Sequence, residues 1–377
     1  MAKIPKMRGL IRRRGRRNRR DGGRLGALIG WIAIAMVLGL ATVALMGRLL
    51  SAPPALIAAA VAFLPYLFIA VAVGLFVLWA LLPDRRALPA SLCVVILLGA
   101  ALWGPSWSAR GRAVEGVPVR VMSWNLRRLW GGPDDGGDPL KCAVDAIEQS
   151  DPDVLSLLEI SAEDVGRLEA ALGMQCAHHP YMSISGSKHG GLAACTRNQW
   201  HLQSGRGQRF VDTRDWYYVF AEVERGSRVF NLLAVHLSPY EYVAKRLRTG
   251  VKGLAKGDAE PLQELGAQGT RIVQGQSDQA AALLSRVERL SDPTVIAGDF
   301  NSTRDASLHA SLRHHLTDAW EHGGQGFGGT VYLFDWLPLR IDYVYASEEL
   351  PVVSARLPTV GCSDHLPVVV DLVLKEP

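Results

Sequence analysis

Charge is the scarcest resource in this 377-residue chain: 20% of its residues are Asp, Glu, Lys or Arg, against about 25% in an ordinary soluble domain. The shortfall is local. Residues 1–112 hold only two acids, Asp21 and Asp84, against 16 Lys/Arg, a net of +14, whereas residues 113–377 hold 34 acids and 25 bases, a net of −9. The overall +5 therefore describes neither part. The pattern argues against a wholly soluble chain, and the ordinary globular composition of the last 265 residues argues against a wholly intramembrane one. The acidity of that larger part disfavours a nucleic-acid surface, which needs clustered Lys and Arg. Cysteine is scarce as well, with five in all. Cys93 lies in an apolar stretch, and Cys142, Cys176, Cys195 and Cys362 lie in the acidic part, where four thiols allow three pairings. No internal repeat is present.

The basic charge is concentrated at the start. Residues 1–24 carry 11 Lys/Arg and one acid, densest over Arg12–Arg20. Such a block repels itself and has no apolar face, so it reads as a disordered basic arm. Three uncharged stretches follow: Leu25–Met46, Ala55–Leu82 with Pro65 as a kink, and Ala87–Trp107. Each reaches the ~20 residues a membrane helix needs, so three transmembrane helices are expected at about 25–46, 55–82 and 87–107. The positive-inside rule keeps the arm and Asp84-Arg85-Arg86 in the cytoplasm. That leaves a linker at 108–118 and an extracytoplasmic domain at 119–377 of a multi-pass cell-membrane protein.

The domain alternates short apolar runs with helical patterns. Val119–Asn125, Asp153–Ile160, Arg228–Leu237, Thr294–Asp299, Ile341–Tyr345 and Leu366–Leu374 read as strands; Leu140–Gln149, Ala162–Leu172 and Gly275–Leu290 read as helices. The class is α/β, with packed sheets flanked by helices. The strands stop on polar residues: Asn125, Glu159, His236, then Asp299 and Asn301, Asp342, and the Ser363-Asp364-His365 run. Polar side chains at several strand ends build one site on a rigid scaffold. Carboxylate and amide oxygens suit a hard cation, and carboxylates with imidazoles can activate water against a phosphoryl group. Each residue alone has a plainer reading, such as a strand cap for Asn125 or an ion pair with Arg340 for Asp342. His178-His179 and His314-His315 lack partners at ligand spacing and read as surface residues.

The ordered set Ser-Trp-Asn125, Leu-Leu-Glu159, Val-His236-Leu, Gly-Asp299-Phe-Asn301, Ile-Asp342-Tyr-Val and Ser363-Asp364-His365 resembles the endonuclease/exonuclease/phosphatase superfamily. The resemblance implies a DNase I-like four-layer α/β/β/α sandwich behind the three transmembrane helices. It implies Mg²⁺ or Mn²⁺ held by Glu159, Asn125 and Asp364. Asp299 would orient or deprotonate the attacking water, and Asn301 would contact the phosphate and hold Asp299. His365 and His236 would contact the phosphate, and Asp342 would keep His365 charged.

The substrate branch rests on less. The tether and the acidic domain favour a lipid phosphate over DNA. A basic stretch with interleaved apolar residues, Tyr240–Gly257, is able to lie on a membrane surface. The whole layout is similar to the VanJ family of actinobacterial membrane proteins linked to glycopeptide, notably teicoplanin, resistance. That resemblance implies hydrolysis of undecaprenyl diphosphate to undecaprenyl phosphate, with the lipid bilayer as partner and no nucleic acid. A membrane-tethered nuclease, a sphingomyelinase-like phosphodiesterase and a degenerate non-enzymatic domain are the alternatives.

Overall fold

The computed structural model describes residues 31–32, 35–50, 53–81, a few positions between 92 and 107, and 115–129, 137–181, 190–210, 217–240, 260–333 and 335–375. The expected basic arm, most of the third apolar stretch, residues 108–114 of the linker and the basic segment after Tyr240 lie outside them. The chain divides into two compact units, 1–46 with 63–104, and 47–62 with 105–377.

Among the described residues, no single helix is long and apolar enough to cross a membrane, so the expected three-helix transmembrane bundle is not shown. The first stretch appears as helix α1, Ala35–Leu49. The second is not continuous. It forms α2 (Ala55–Ala62) and α3 (Leu64–Leu81), a pair bent by 66° that together meets the length and apolarity of one broken span. The cause is Pro65, which has no N–H to offer the Val61 carbonyl. Helix α3 is apolar on every side, with Phe68 and Leu75 buried but Ile69, Val73 and Phe76 exposed.

The larger unit contains two six-stranded sheets. The strands are β1 (Val117–Asn125), β2 (Val154–Leu158), β3 (Gln175–Tyr181), β4 (Gly190–Thr196), β5 (His201–Arg209), β6 (Tyr217–Arg225), β7 (Arg228–His236), β8 (Thr294–Asp299), β9 (Thr317–Asp318), β10 (Val331–Leu333), β11 (Leu337–Leu339), β12 (Asp342–Ala346), β13 (Val352–Arg356) and β14 (Val368–Leu374). One sheet has the order β9-β12-β8-β7-β6-β5 and the other β13-β14-β1-β2-β4-β3; β10 and β11 form a separate hairpin. The helices are α4 (Pro139–Ser150), α5 (Ala162–Leu172), α6 (Glu260–Val287), α7 (Ser307–His315) and α8 (Ala319–Gly323).

Strand alternation sorts the side chains into layers. Val119 and Val121 of β1, Leu232 and Ala234 of β7, and Val295 and Ala297 of β8 face each other between the sheets. The alternate residues Met122 and Trp124 pack outward under α4 and α5, while Leu233, Val235 and Ile296 pack against residues of α6 and α7. The result is the expected four-layer α/β/β/α sandwich. Ser156 Oγ crosses the central layer, donating to the Ala297 carbonyl at 2.9 Å.

Helix α4 is capped by Asp138, which accepts from Leu140 N, and α5 by Ser161, which accepts from Asp164 N. Helix α6 begins at Glu260 rather than at Gly275. Its first half is rich in Gly and Gln, which hides the period in the sequence; its partner is α2, with the Ala55 amide donating to Thr270 Oγ1 at 3.1 Å. Arg48 also joins this unit, 3.2 Å from Asp305. Two disulfides close the domain, Cys142–Cys362 and Cys176–Cys195.

Candidate active site

The alternation that fills the central layer with valine and alanine also builds the site. Continuing the inward-facing positions to the strand ends gives Asn125 after Ser123, His236 after Ala234, and Asp299 after Ala297. Strand register aligns them, because Asp299 is paired with His236 on one side and with Asp342 on the other. Asn125 stands beside Leu158, one residue before Glu159. The apolar layer thus ends in a polar cup.

Hydrogen bonds join the cup's two walls. Asn125 Nδ2 donates to Asp299 Oδ2 at 3.1 Å and to Glu159 Oε1 at 3.3 Å. The Asn301 amide donates to Asp299 Oδ1 at 2.8 Å, and Asn301 Nδ2 donates to the Leu237 carbonyl at 3.0 Å. His365 Nδ1 lies 2.9 Å from Asp342 Oδ2. His236 Nε2 stands 3.6 Å from Asp299 Oδ2 and 3.9 Å from Glu159 Oε1, and His365 Nε2 stands 3.9 Å from Asp299 Oδ2. These gaps are longer than direct hydrogen bonds.

Backbone strain gathers here. Of eight non-glycine residues with positive φ among those described, four lie in or beside the cup: Arg127, Arg128, Glu159 and Asn301. Such conformations persist where surrounding structure enforces them, and they cluster at functional sites. Glycine is required at position 298, where a Cβ would collide with the Val235 carbonyl of the neighbouring strand.

Burial pushes the Asp299 carboxyl up to about 6, helped by Asp342 and opposed by His365 and His236. Burial alone would lower His365, but Asp342, Asp299 and Asp364 outweigh it and push the imidazole up to about 10. The cup therefore sets a carboxyl raised by burial beside an imidazole raised by its carboxylate neighbours.

Seven of the eight expected site residues meet in this cup: Asn125, Glu159, His236, Asp299, Asn301, Asp342 and His365. The eighth, Asp364, is half-exposed at the rim and pairs with Arg127 at 3.2 Å. Among the described residues, Asp299, Asp342 and His365 bring ligand-type atoms within 4.8 Å of one another. Asp342 Oδ1 is buried without a hydrogen-bond partner. Oxygen donors from Asp299, Glu159 and Asn125 beside this group fit a hard divalent cation. Arg340 pairs with Asp318, not with Asp342, and Asp318 also caps α8. His178 is half-buried at the Ile160 carbonyl, 3.1 Å away, rather than on the surface.

Sequence reasoning misses Arg127 and Arg128, whose Nε lies 3.8 Å from Glu159 Oε2. Their signal is the pair of arginines directly after the strand-ending Asn125. It also misses Gln276, which donates to the Ser238 and Asn301 carbonyls at 2.7 and 3.1 Å, and Ser363, whose hydroxyl donates to the Asn125 carbonyl at 2.7 Å.

Known structures share this architecture. An endonuclease/exonuclease/phosphatase from Bacteroides vulgatus is similar over 69% of this chain and 100% of its own, at 15% identity and a TM-score of 0.52. The human Nocturnin catalytic domain with bound sulfate anion is similar over 69% of this chain and 94% of its own, at 20% identity and a TM-score of 0.51. An endonuclease/exonuclease/phosphatase from Beutenbergia cavernae covers 68% and 72%, at 20% identity and a TM-score of 0.50. At such identities the likeness speaks to the fold alone. No curated protein matches the chain. The sequence pattern of the Endonuclease/Exonuclease/phosphatase family, however, matches residues 122–365, a span running from β1 to His365 that contains the whole cup. The chain therefore belongs to the endonuclease/exonuclease/phosphatase family, whose members are hydrolases that typically depend on a divalent metal.

Proposed function

We propose that the protein is a membrane-anchored, metal-dependent phosphohydrolase acting on a lipid-linked diphosphate, with undecaprenyl diphosphate as the preferred candidate and undecaprenyl phosphate as product. In that role it would recycle the cell-wall carrier and support teicoplanin resistance, with its catalytic domain outside the cytoplasm. The observation that carries the reading is the seat of the apolar segment. Residues 47–62 belong to the catalytic unit. They are held by Arg48 on Asp305 and by Ala55 on Thr270 of α6, the helix whose Gln276 also holds the Asn301 carbonyl. The apolar chain is thus built into the support of the active-site loop. The two disulfides favour an oxidising compartment, and the net −9 of residues 113–377 disfavours a polyanionic duplex.

The cup's own residues suit the reaction. Asp299 takes a proton from water as the water oxygen attacks the terminal phosphorus. The bond to the bridging oxygen breaks, releasing inorganic phosphate and leaving a lipid monophosphate. His365, held cationic by Asp342, and His236 on the opposite wall face the phosphoryl oxygens, where charge develops. Asn301 fixes Asp299 through its backbone amide. A divalent cation held by Glu159 and Asn125 would neutralise phosphoryl charge.

The test offers the full chain in detergent a long-chain polyprenyl diphosphate and, separately, supercoiled plasmid. Phosphate release without nicking supports the proposal. Nicking without phosphate release overturns it in favour of a tethered nuclease.

A further inference from the structure

We infer that a groove beside the cup binds the hydrocarbon chain of the substrate; this rests on the lipid-diphosphate reading above. The groove has a volume of about 650 Å³ and lies between α8, edge strand β13 and the β10–β11 hairpin. Its apolar lining is Trp320, Phe327, Tyr332, Pro338, Ala355 and Leu357. Among its described lining residues the only charge is Arg356, which is engaged by Asp371 and the Ser150 carbonyl.

The groove is shaped by a glycine-rich run that leaves its floor free of side chains. Gly328 has φ +73°, and a Cβ there would strike the Trp320 ring; one at Gly329 would strike Pro338. The rim is apolar and open to water. Beyond residue 104, the exposed large apolar side chains among the described residues are Phe327 at 67%, Tyr332 at 50% and Trp336 at 70%, all from one short segment. Aromatic surface concentrated in this way marks an interaction site.

The hairpin that lines the groove is also tied to the catalytic residues. Val331, next to Tyr332, forms a β-bridge with His365. The Leu366 amide donates to the Thr330 carbonyl at 2.8 Å, and Thr330 Oγ1 accepts from the amides of Ile341 and Asp342 at 3.2 Å each. Strand β13 gives the direction. Arg356 pairs with Val369, near His365, and Val352 pairs with Leu372, at the far end. The Leu357 end is therefore the one nearer the cup, and β13 runs away from it for roughly 15 Å. A diphosphate in the cup would leave its chain at the head of this channel.

The test uses the full chain in detergent and two substrates, a long-chain polyprenyl diphosphate and a five-carbon prenyl diphosphate. The wild type should prefer the long chain in kcat/KM, and the double variant Phe327→Ser, Tyr332→Ser should reduce that preference about tenfold through KM. A second readout is independent of turnover: a long-chain alkyl phosphate with a diazirine in its tail should label residues within 320–357. Equal kcat/KM for both substrates, or labelling confined elsewhere, overturns the groove while leaving the phosphatase reading standing. Release of phosphate from neither substrate overturns the phosphatase reading, and the position of the label then decides the groove by itself.

Discussion

His365 and Asp342 come from different strand ends and meet at 2.9 Å, imidazole Nδ1 to carboxylate Oδ2. The pair is held from behind as well: the Trp124 indole donates to the His365 carbonyl at 2.9 Å, and Thr330 supports the Asp342 amide. Asp342→Asn should leave the fold intact but weaken the cation on His365, because the strongest group raising that imidazole is gone. Phosphate release should fall on the order of 10²-fold in kcat with little change in KM. Steady-state kinetics check this, and an unchanged kcat would remove Asp342 from the mechanism.

The Asp299 carboxylate accepts from both walls of the cup, from Asn125 Nδ2 and from the Asn301 amide. Asp299→Asn keeps its size and should retain a folded domain by circular dichroism. Its activity should fall by ~10²–10⁴, because the water loses its proton acceptor.

The strand-end residues are legible in the amino-acid sequence because apolar alternation makes a run's last polar residue conspicuous. Asn125, His236 and Asp299 end inward rows that run Val119, Val121, Ser123, then Phe230, Leu232, Ala234, then Val295, Ala297, so reading the period also locates the cup. What the sequence hides, it hides for physical reasons. Arg127 and Arg128 reach the rim through left-handed backbone, which composition does not reveal. The cysteine pairings depend on how β3 meets β4 and how the Cys362 loop meets α4. The break before Leu64 is visible as Pro65, but its 66° consequence is not. The groove is made of loop glycines and one hairpin, which have no period to read.

The Cys142–Cys362 bond ties α4 to the residue just before Ser363, Asp364 and His365. Replacing both cysteines with serine should cost about 2–5 kcal/mol of stability. It should also lower activity, because the segment carrying His365 gains freedom. Urea unfolding and phosphate release, measured with and without reductant, check both effects. Reductant should move the wild type by more than the variant, which can respond only through the remaining Cys176–Cys195 bond.

His309 is fully buried behind the cup, with Nδ1 2.8 Å from the Tyr345 hydroxyl and Nε2 2.8 Å from Ser302 Oγ. Burial and the nearby Arg313, Arg340 and Arg304 hold it well below 6.5. The unfolded chain therefore binds a proton that the folded chain refuses. Stability from this residue is full above about pH 6.5 and is lost as pH falls, by at most ~1.4 kcal/mol per pH unit. Urea midpoints of wild type and His309→Gln between pH 7.5 and 5 should converge as the pH drops. Parallel curves would show that His309 is not the group responsible.

The central claim is that the cup hydrolyses a lipid diphosphate with water activated at Asp299. The most direct measurement is inorganic phosphate released from a polyprenyl diphosphate by the full chain and by Asp299→Asn, side by side in detergent, each with Mg²⁺ and with chelator. The account predicts release by the wild type with Mg²⁺ and almost none in the other three arms. Equal release by Asp299→Asn, or no release by the wild type with Mg²⁺, would contradict it.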